Sequence, residues 1–208
     1  MKIDRKEHWE NIYKKKDLRE ASWYQATPAT SMNFFKQFNI PLTAKIIDVG
    51  GGDSLLVDHL LALGYQDLTV LDISETAIAI AQQRLGAKAA KVKWVVADAA
   101  TFEPTEAYDF WHDRATFHFL TEEVEISHYL QTAHQHIKEG GILVIGTFSD
   151  KGPRVCSGFE IKQYSEARMT ERLRKLFKKI KCLTVDHFTP SGVPQNFLFC
   201  SFKKLSVA

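Results

Sequence analysis

The chain has 208 residues, 45% hydrophobic and 25% charged, with a formal net charge of +2. That length and apolar content suit one domain with a substantial core, and so mild a charge gives no sign of a nucleic-acid protein. No run is apolar for long enough to span a bilayer, and the charged start, Met1 to Glu7, lacks the hydrophobic region of a secretory leader.

The three cysteines, Cys156, Cys182 and Cys200, are odd in number and without close CxxC spacing. Buried or free thiols in a reducing cytoplasm are therefore expected, rather than disulfides or a zinc site. The basic clusters Lys14-Lys15-Lys16 and Lys178-Lys179-Ile180-Lys181 read first as solvated surface and second as a surface for an anionic partner.

Residues 1–40 carry Trp9, Tyr13, Trp23, Tyr24, Phe34 and Phe35 among charged side chains, which predicts short helices or a lid ahead of a main domain over 41–208. Apolar runs then alternate with helical patterns, the order of parallel strands joined by crossover helices. Strands are expected at Ile46 to Val49, Leu68 to Leu71, Val92 to Ala97, Tyr108 to Trp111 and Ile142 to Phe148. Leu55, Leu56, Leu60 and Leu63 give the first intervening helix a buried stripe. Ser74 and Glu75 open a helix that Gly86 stops. A longer helix runs from Thr121-Glu122-Glu123 to about Lys138, stopped by Gly140-Gly141, and Ser165 caps another through Leu176. Two closing runs, Cys182 to Phe188 and Asn196 to Phe202, flank a Pro/Gly turn too short for a parallel crossover, so the sheet should end in an antiparallel hairpin.

The first strand ends in Asp48-Val49-Gly50-Gly51-Gly52-Asp53-Ser54. Glycines there permit a tight turn and a close approach of backbone to a ligand, the layout of a nucleotide-derived cofactor site. Asp72 closes the second strand about 20 residues on, the spacing at which a carboxylate reaches ribose hydroxyls. The same residues also suit a plain turn, a helix cap at Asp72 or a nicotinamide cofactor; Asp98, behind the third strand, suits a turn or a ligand contact.

The fourth strand ends in Trp111-His112-Asp113-Arg114-Ala115-Thr116-Phe117-His118, at the edge where open α/β sheets hold ligands. A histidine titrates near neutrality and can take a proton from an acceptor, and Arg114 can grip a carboxylate with two hydrogen bonds. His112, Arg114 and His118 are thus the catalytic candidates, against a structural Asp113–Arg114 pair with His118 packed beneath the next helix. His134 and His136 diverge on their helix, and there is no HExxH, Gly-x-Ser-x-Gly or Gly-Lys-Ser/Thr motif, so no metal site is expected. His187 and Gln195 bracket the last hairpin, within reach of an acceptor or as structural residues.

From Ile46 to Lys203 the chain resembles the class I methyltransferases that use S-adenosylmethionine. Their acidic-x-Gly-x-Gly-x-Gly motif falls on Asp48, Gly50 and Gly52, with Ser54 in place of the third glycine. The stretch from His8-Trp9 to Ser22-Trp23-Tyr24-Gln25 is similar to the N-terminal element of small bacterial members and of some lysine methyltransferases. The resemblance implies a Rossmann-like three-layer sandwich with a seven-stranded, mostly parallel sheet and an antiparallel last strand. It implies S-adenosylmethionine as cofactor and S-adenosylhomocysteine as product. The Gly50-Gly51-Gly52 turn would meet the amino acid part through its backbone. Asp72, with Ile73 beside it, would hold the ribose, and Asp98 with Ala99 the adenine; His112, Asp113 and Arg114 would stand by the methionine and acceptor. Tyr24 and Trp23 either close over the cofactor or pack within the lid. A small polar molecule is the expected substrate and a protein lysine the alternative; a nicotinamide dehydrogenase or a non-catalytic binding module stands further off.

Overall fold

The computed structural model describes residues 4–15 and 17–205. The first three residues of the charged start, Lys16 of the basic run and residues 206–208 lie outside the described residues.

Strands β1 (Lys45–Val49), β2 (Asp67–Asp72), β3 (Val92–Val96), β4 (Tyr108–Arg114) and β5 (Ile137–Phe148) run parallel. A short hairpin, β6 (Val155–Cys156) with β7 (Phe159–Glu160), stands apart from them. The chain closes with β8 (Phe177–Phe188) and β9 (Pro194–Lys204). The large sheet has the order β3-β2-β1-β4-β5-β9-β8. Because β9 is antiparallel to both β5 and β8, it alone runs against the other six. This is the seven-stranded sheet expected, with the reversed strand supplied by the closing hairpin.

Helices α1 (Arg5–Lys15), α2 (Ala29–Gln37), α3 (Leu56–Ala62), α4 (Glu75–Leu85), α5 (Glu123–His136) and α6 (Glu166–Leu173) surround the sheet. Neighbouring residues of a strand point to opposite faces, and the core divides accordingly. Ile47, Trp111 and Leu143 pack on one face with Ile126 and Tyr129 of α5 and Met169 of α6. Ile46, Phe110 and Val144 pack on the other with Phe34 and Phe35 of α2 and Leu56 and Leu60 of α3. Ser74 Oγ caps α4 by accepting from Ala77 N at 3.1 Å, and Ser165 Oγ caps α6 from Arg168 N at 3.3 Å.

Three expectations need correcting. The long helix ends at His136, not at the glycines: Ile137 is fully buried and pairs with Tyr108, so Gly140 and Gly141 lie within β5. A Cβ on Gly141 would stand 2.7 Å from Ile137 Cγ2 and 2.9 Å from the Lys138 carbonyl, so only glycine fits there. The last hairpin starts earlier, at Phe177, where burial of that ring extends the pairing. Finally, Cys182 and Cys200 form a disulfide instead of free thiols, because the β8–β9 register sets them directly opposite each other. Cys156 stands outside it.

Candidate active site

A cavity opens at the carboxyl ends of β1, β2 and β4, where the sheet order turns back on itself, the usual ligand crevice of such sheets. Its floor is the glycine turn. Gly50 and Gly52 have φ of 68° and 40°, in the left-handed region that side chains rarely adopt. A Cβ on Gly50 would collide with Thr116, and one on Gly52 would stand 2.7 Å from Asp72 Oδ2 and 3.0 Å from Tyr13 Oη. Gly50 N and Gly51 N both donate to the Leu71 carbonyl, at 2.7 and 3.1 Å. Those two amides are consumed by β2, contrary to the expectation that they face a ligand.

Carboxylates ring the β1–β3 side of the cavity. Asp72 Oδ1 accepts from Ser74 N at 2.8 Å, and burial, reinforced by Asp53 and Asp48, pushes its pKa up to about 7 against that hydrogen bond. Asp53 is likewise raised by burial, to about 6, although Trp23 Nε1 donates to it at 3.5 Å. Asp98 accepts from Ala100 N at 2.8 Å and has Arg5 Nε 3.6 Å away. Ile73 and Ala99 complete this wall, whereas Gly52 lies just behind it, under Asp72 and Tyr13.

On the β4 side, His112 is buried between two partners. Its Nδ1 is 2.7 Å from Asp48 Oδ1, and its Nε2 is 2.9 Å from Ser31 Oγ. With the Asp48 carboxylate accepting from Nδ1–H, Nε2 is left to accept from the Ser31 hydroxyl, which lines the cavity. Asp113, the next residue, points to the opposite face. There it accepts from Thr116 N and Phe117 N, each at 3.1 Å, and from Tyr129 Oη at 2.7 Å. It is therefore no partner of Arg114, whose Nη1 donates to the Trp23 carbonyl at 3.1 Å and whose guanidinium sits 5.1 Å from the Phe197 ring centre. A left-handed Ala115, φ 65°, turns the chain away after Arg114.

His118 is set apart from the cavity. It is fully buried, lies 4.7 Å from the Phe148 ring in a stacked arrangement, and accepts from Phe148 N at 3.2 Å. Burial, with Arg114 adding to it, holds its pKa down to about 3, so it is a neutral packing group at ordinary pH. His187 Nε2 lies 2.7 Å from the Ser22 carbonyl and ties the last hairpin to the N-terminal segment.

That segment roofs the site. Trp9, Tyr13, Trp23 and Phe119 line the cavity and meet one another with ring centres 5.3 to 6.0 Å apart, and Tyr24 and Gln25 extend the roof. Helix α1 is latched by Glu10, which accepts from Glu75 N at 2.6 Å and from the Thr76 hydroxyl at the start of α4. Arg5 adds ion pairs to Asp98 and Glu125. Among the described residues, no group of three or more His, Cys, Asp or Glu side chains is placed to hold a metal ion.

Residues 46–141 match the family described as Methyltransferase domain. The N-methyltransferase NodS from Bradyrhizobium japonicum, solved with S-adenosylhomocysteine, superposes with a TM-score of 0.74 over 98% of this chain and 100% of that one, at 16% identity. The 1,6-didemethyltoxoflavin-N1-methyltransferase of Burkholderia thailandensis does so with a TM-score of 0.70 over 86% and 78%, at 19% identity. In sequence, the chain is 26% identical over 143 residues to the mouse (Mus musculus) eEF1A lysine and N-terminal methyltransferase; the match takes in 67% of this chain but only 20% of that protein. The fold is that of the class I S-adenosylmethionine-dependent methyltransferases.

On this methyltransferase fold the residues present fit such a cofactor. Asp72, buried, and Asp98, partly buried, face one cavity with the glycine turn between β1 and α3, and carboxylates so placed suit hydroxyl and amino donors. Sequence reasoning missed Ser31, Asp53, Arg5 and Cys156, all of which line the cavity. Asp53 follows the glycines directly and was open to notice; Ser31 and Cys156 arrive from distant segments with no motif to mark them.

Proposed function

We propose that this protein transfers a methyl group from S-adenosylmethionine to a small polar molecule. The observation that carries the reading is the convergence of the glycine turn, Asp72 and Asp98 in one cavity beneath an aromatic roof. When bound, the cofactor supplies a methyl carbon on a sulfonium, a leaving group already activated by its charge. The protein's task is then alignment, exclusion of water and removal of one proton from the acceptor.

Asp72 accepts from the ribose hydroxyls, with Ile73 packed beside them. Asp98 and Ala99 hold the adenine edge, and Asp53 joins Asp48 as an acceptor for the ammonium of the methionine part. Gly50, Gly51 and Gly52 give the clearance that any side chain would fill. Trp9, Tyr13, Trp23 and Tyr24 present aromatic faces to the sulfonium, an attraction strengthened by the absence of water. Ser31, backed by His112 and Asp48, takes the acceptor's proton and passes it to the imidazole. His118 has no part in transfer on this reading. The segment up to about residue 40 acts as the lid, with α2 as its anchored end.

A protein lysine substrate, suggested by the eEF1A methyltransferase relative, is the second reading. The aromatic roof over the cavity favours the metabolite, whereas an open groove would favour a protein lysine. The test is a thermal-shift titration followed by transfer of labelled methyl to metabolite fractions and to lysate protein. Stabilisation by S-adenosylhomocysteine but not by NAD, with label in small molecules, is expected. No shift with S-adenosylhomocysteine would reject the proposal.

A further inference from the structure

The cavity has two electrical ends. Asp48, Asp53, Asp72 and Asp98 gather on the side of β1 to β3, whereas the end of β4 carries the cation of Arg114. Arg5, Arg84, Arg172 and Arg174 each pair with a carboxylate, but among the described residues Arg114 pairs with none. Asp113, its neighbour, is fully engaged elsewhere. Arg114 Nη1 is held by the Trp23 carbonyl and Nη2, though buried, has no hydrogen-bond partner among the described residues. Asp48 acts on the guanidinium only through space, and a buried N–H with no acceptor is costly enough to call for a group that completes it. Burial holds its pKa down to about 10, which still leaves it protonated at neutral pH.

Its position separates it from the cofactor's part of the cavity. The side chain leans from β4 across β5 to the Phe197 ring on β9. Asp72 ends β2, two places from β4 in the sheet, each step about 4.8 Å, and the Arg114 guanidinium reaches the other way, toward β9. We propose that the methyl acceptor carries an anionic group, a carboxylate or a phosphate, received by Arg114 Nη2 beneath Trp23. This rests on the methyl-transfer reading and names the substrate class for it. A planar guanidinium already fixed at Nη1 and stacked on a ring is preorganised for such an anion, and a lysine could not reproduce the geometry.

The experiment compares wild type with Arg114→Lys and Arg114→Gln, both checked for an unchanged fold by circular dichroism. Calorimetry first measures S-adenosylhomocysteine, whose affinity should agree among the three within about threefold. With that ligand saturating, benzoate and inorganic phosphate are titrated separately while tryptophan fluorescence is read. At least one should bind saturably to wild type, weaken about tenfold or more in Arg114→Gln, and be partly retained in Arg114→Lys. The proposal is overturned if neither probe saturates wild type, or if both bind equally well to Arg114→Gln. It is also overturned if Arg114→Gln costs tenfold in S-adenosylhomocysteine affinity, since Arg114 then serves the cofactor's own carboxylate. Those results leave the methyl-transfer reading standing; wild type that fails to bind S-adenosylhomocysteine removes both.

Discussion

Asp72 couples the site to pH. Its pKa of about 7 in the folded chain lies above the ordinary carboxylate value, so between about pH 4 and 7 the folded state binds more protons than the unfolded one. Stability of the unliganded protein must therefore fall as pH rises through that window. If Asp72 holds the ribose as proposed, affinity for the cofactor should move the other way, because the ionised carboxylate is the better acceptor for hydroxyls. Titrations at pH 6 and 8 should show tighter S-adenosylhomocysteine binding at pH 8, and Asp72→Asn should weaken binding about tenfold or more and flatten the trend. Asp53 and Asp113, each raised to about 6, add to the stability slope at lower pH, so Asp72→Asn removes only its upper part. For proton transfer, Ser31→Ala should lower kcat about tenfold to a hundredfold while the dissociation constant of S-adenosylhomocysteine holds, as read by single-turnover kinetics and calorimetry. A matching loss of cofactor affinity would show that Ser31 only supports the pocket.

At the scale of elements, the roof and the core behave differently. Helix α1 has no buried residue and is held by polar latches, chiefly Glu10 on the first turn of α4. That contact satisfies amides that the helix itself leaves unpaired and places an anion at its positive end. Glu10→Ala should cost about 1 kcal/mol in urea unfolding and speed limited proteolysis within residues 4–15. Helix α2 is the opposite case. Phe34 and Phe35 are buried against Phe110, Tyr65 and Phe199, so Phe35→Ala should cost about 3–5 kcal/mol in the same measurement. The segment thus joins a helix held by polar latches to one anchored in the core.

For the whole molecule, burial periodicity made most of the sheet legible. Val49, Leu71 and Trp111 each lie in a short, mainly apolar run that is buried almost throughout, as parallel strands are, with a polar residue at or near its end. What escaped the sequence has physical reasons. Ile137 reads as the end of a helix because its neighbours do, and only its pairing with Tyr108 makes it strand. Strands β6 and β7 are two residues each, too short for any periodicity. The Cys182–Cys200 bond depends on register, which a bulge between Lys179 and Lys181 adjusts. At the site, carboxylates after strands were readable, but the contact of His112 with Ser31 joins residues 81 apart and had no local signal.

The Leu71 carbonyl that anchors Gly50 and Gly51 means that the turn is finished before anything arrives. Little ordering remains to be done at the floor, and the slow coordinate lies with the aromatic cover above. On the methyl-transfer reading, release of the spent thioether past Trp9 and Tyr13 is expected to set the pace, ahead of the chemical step. Turnover should accordingly fall in proportion to solvent viscosity, whereas a single pre-loaded transfer event should not respond.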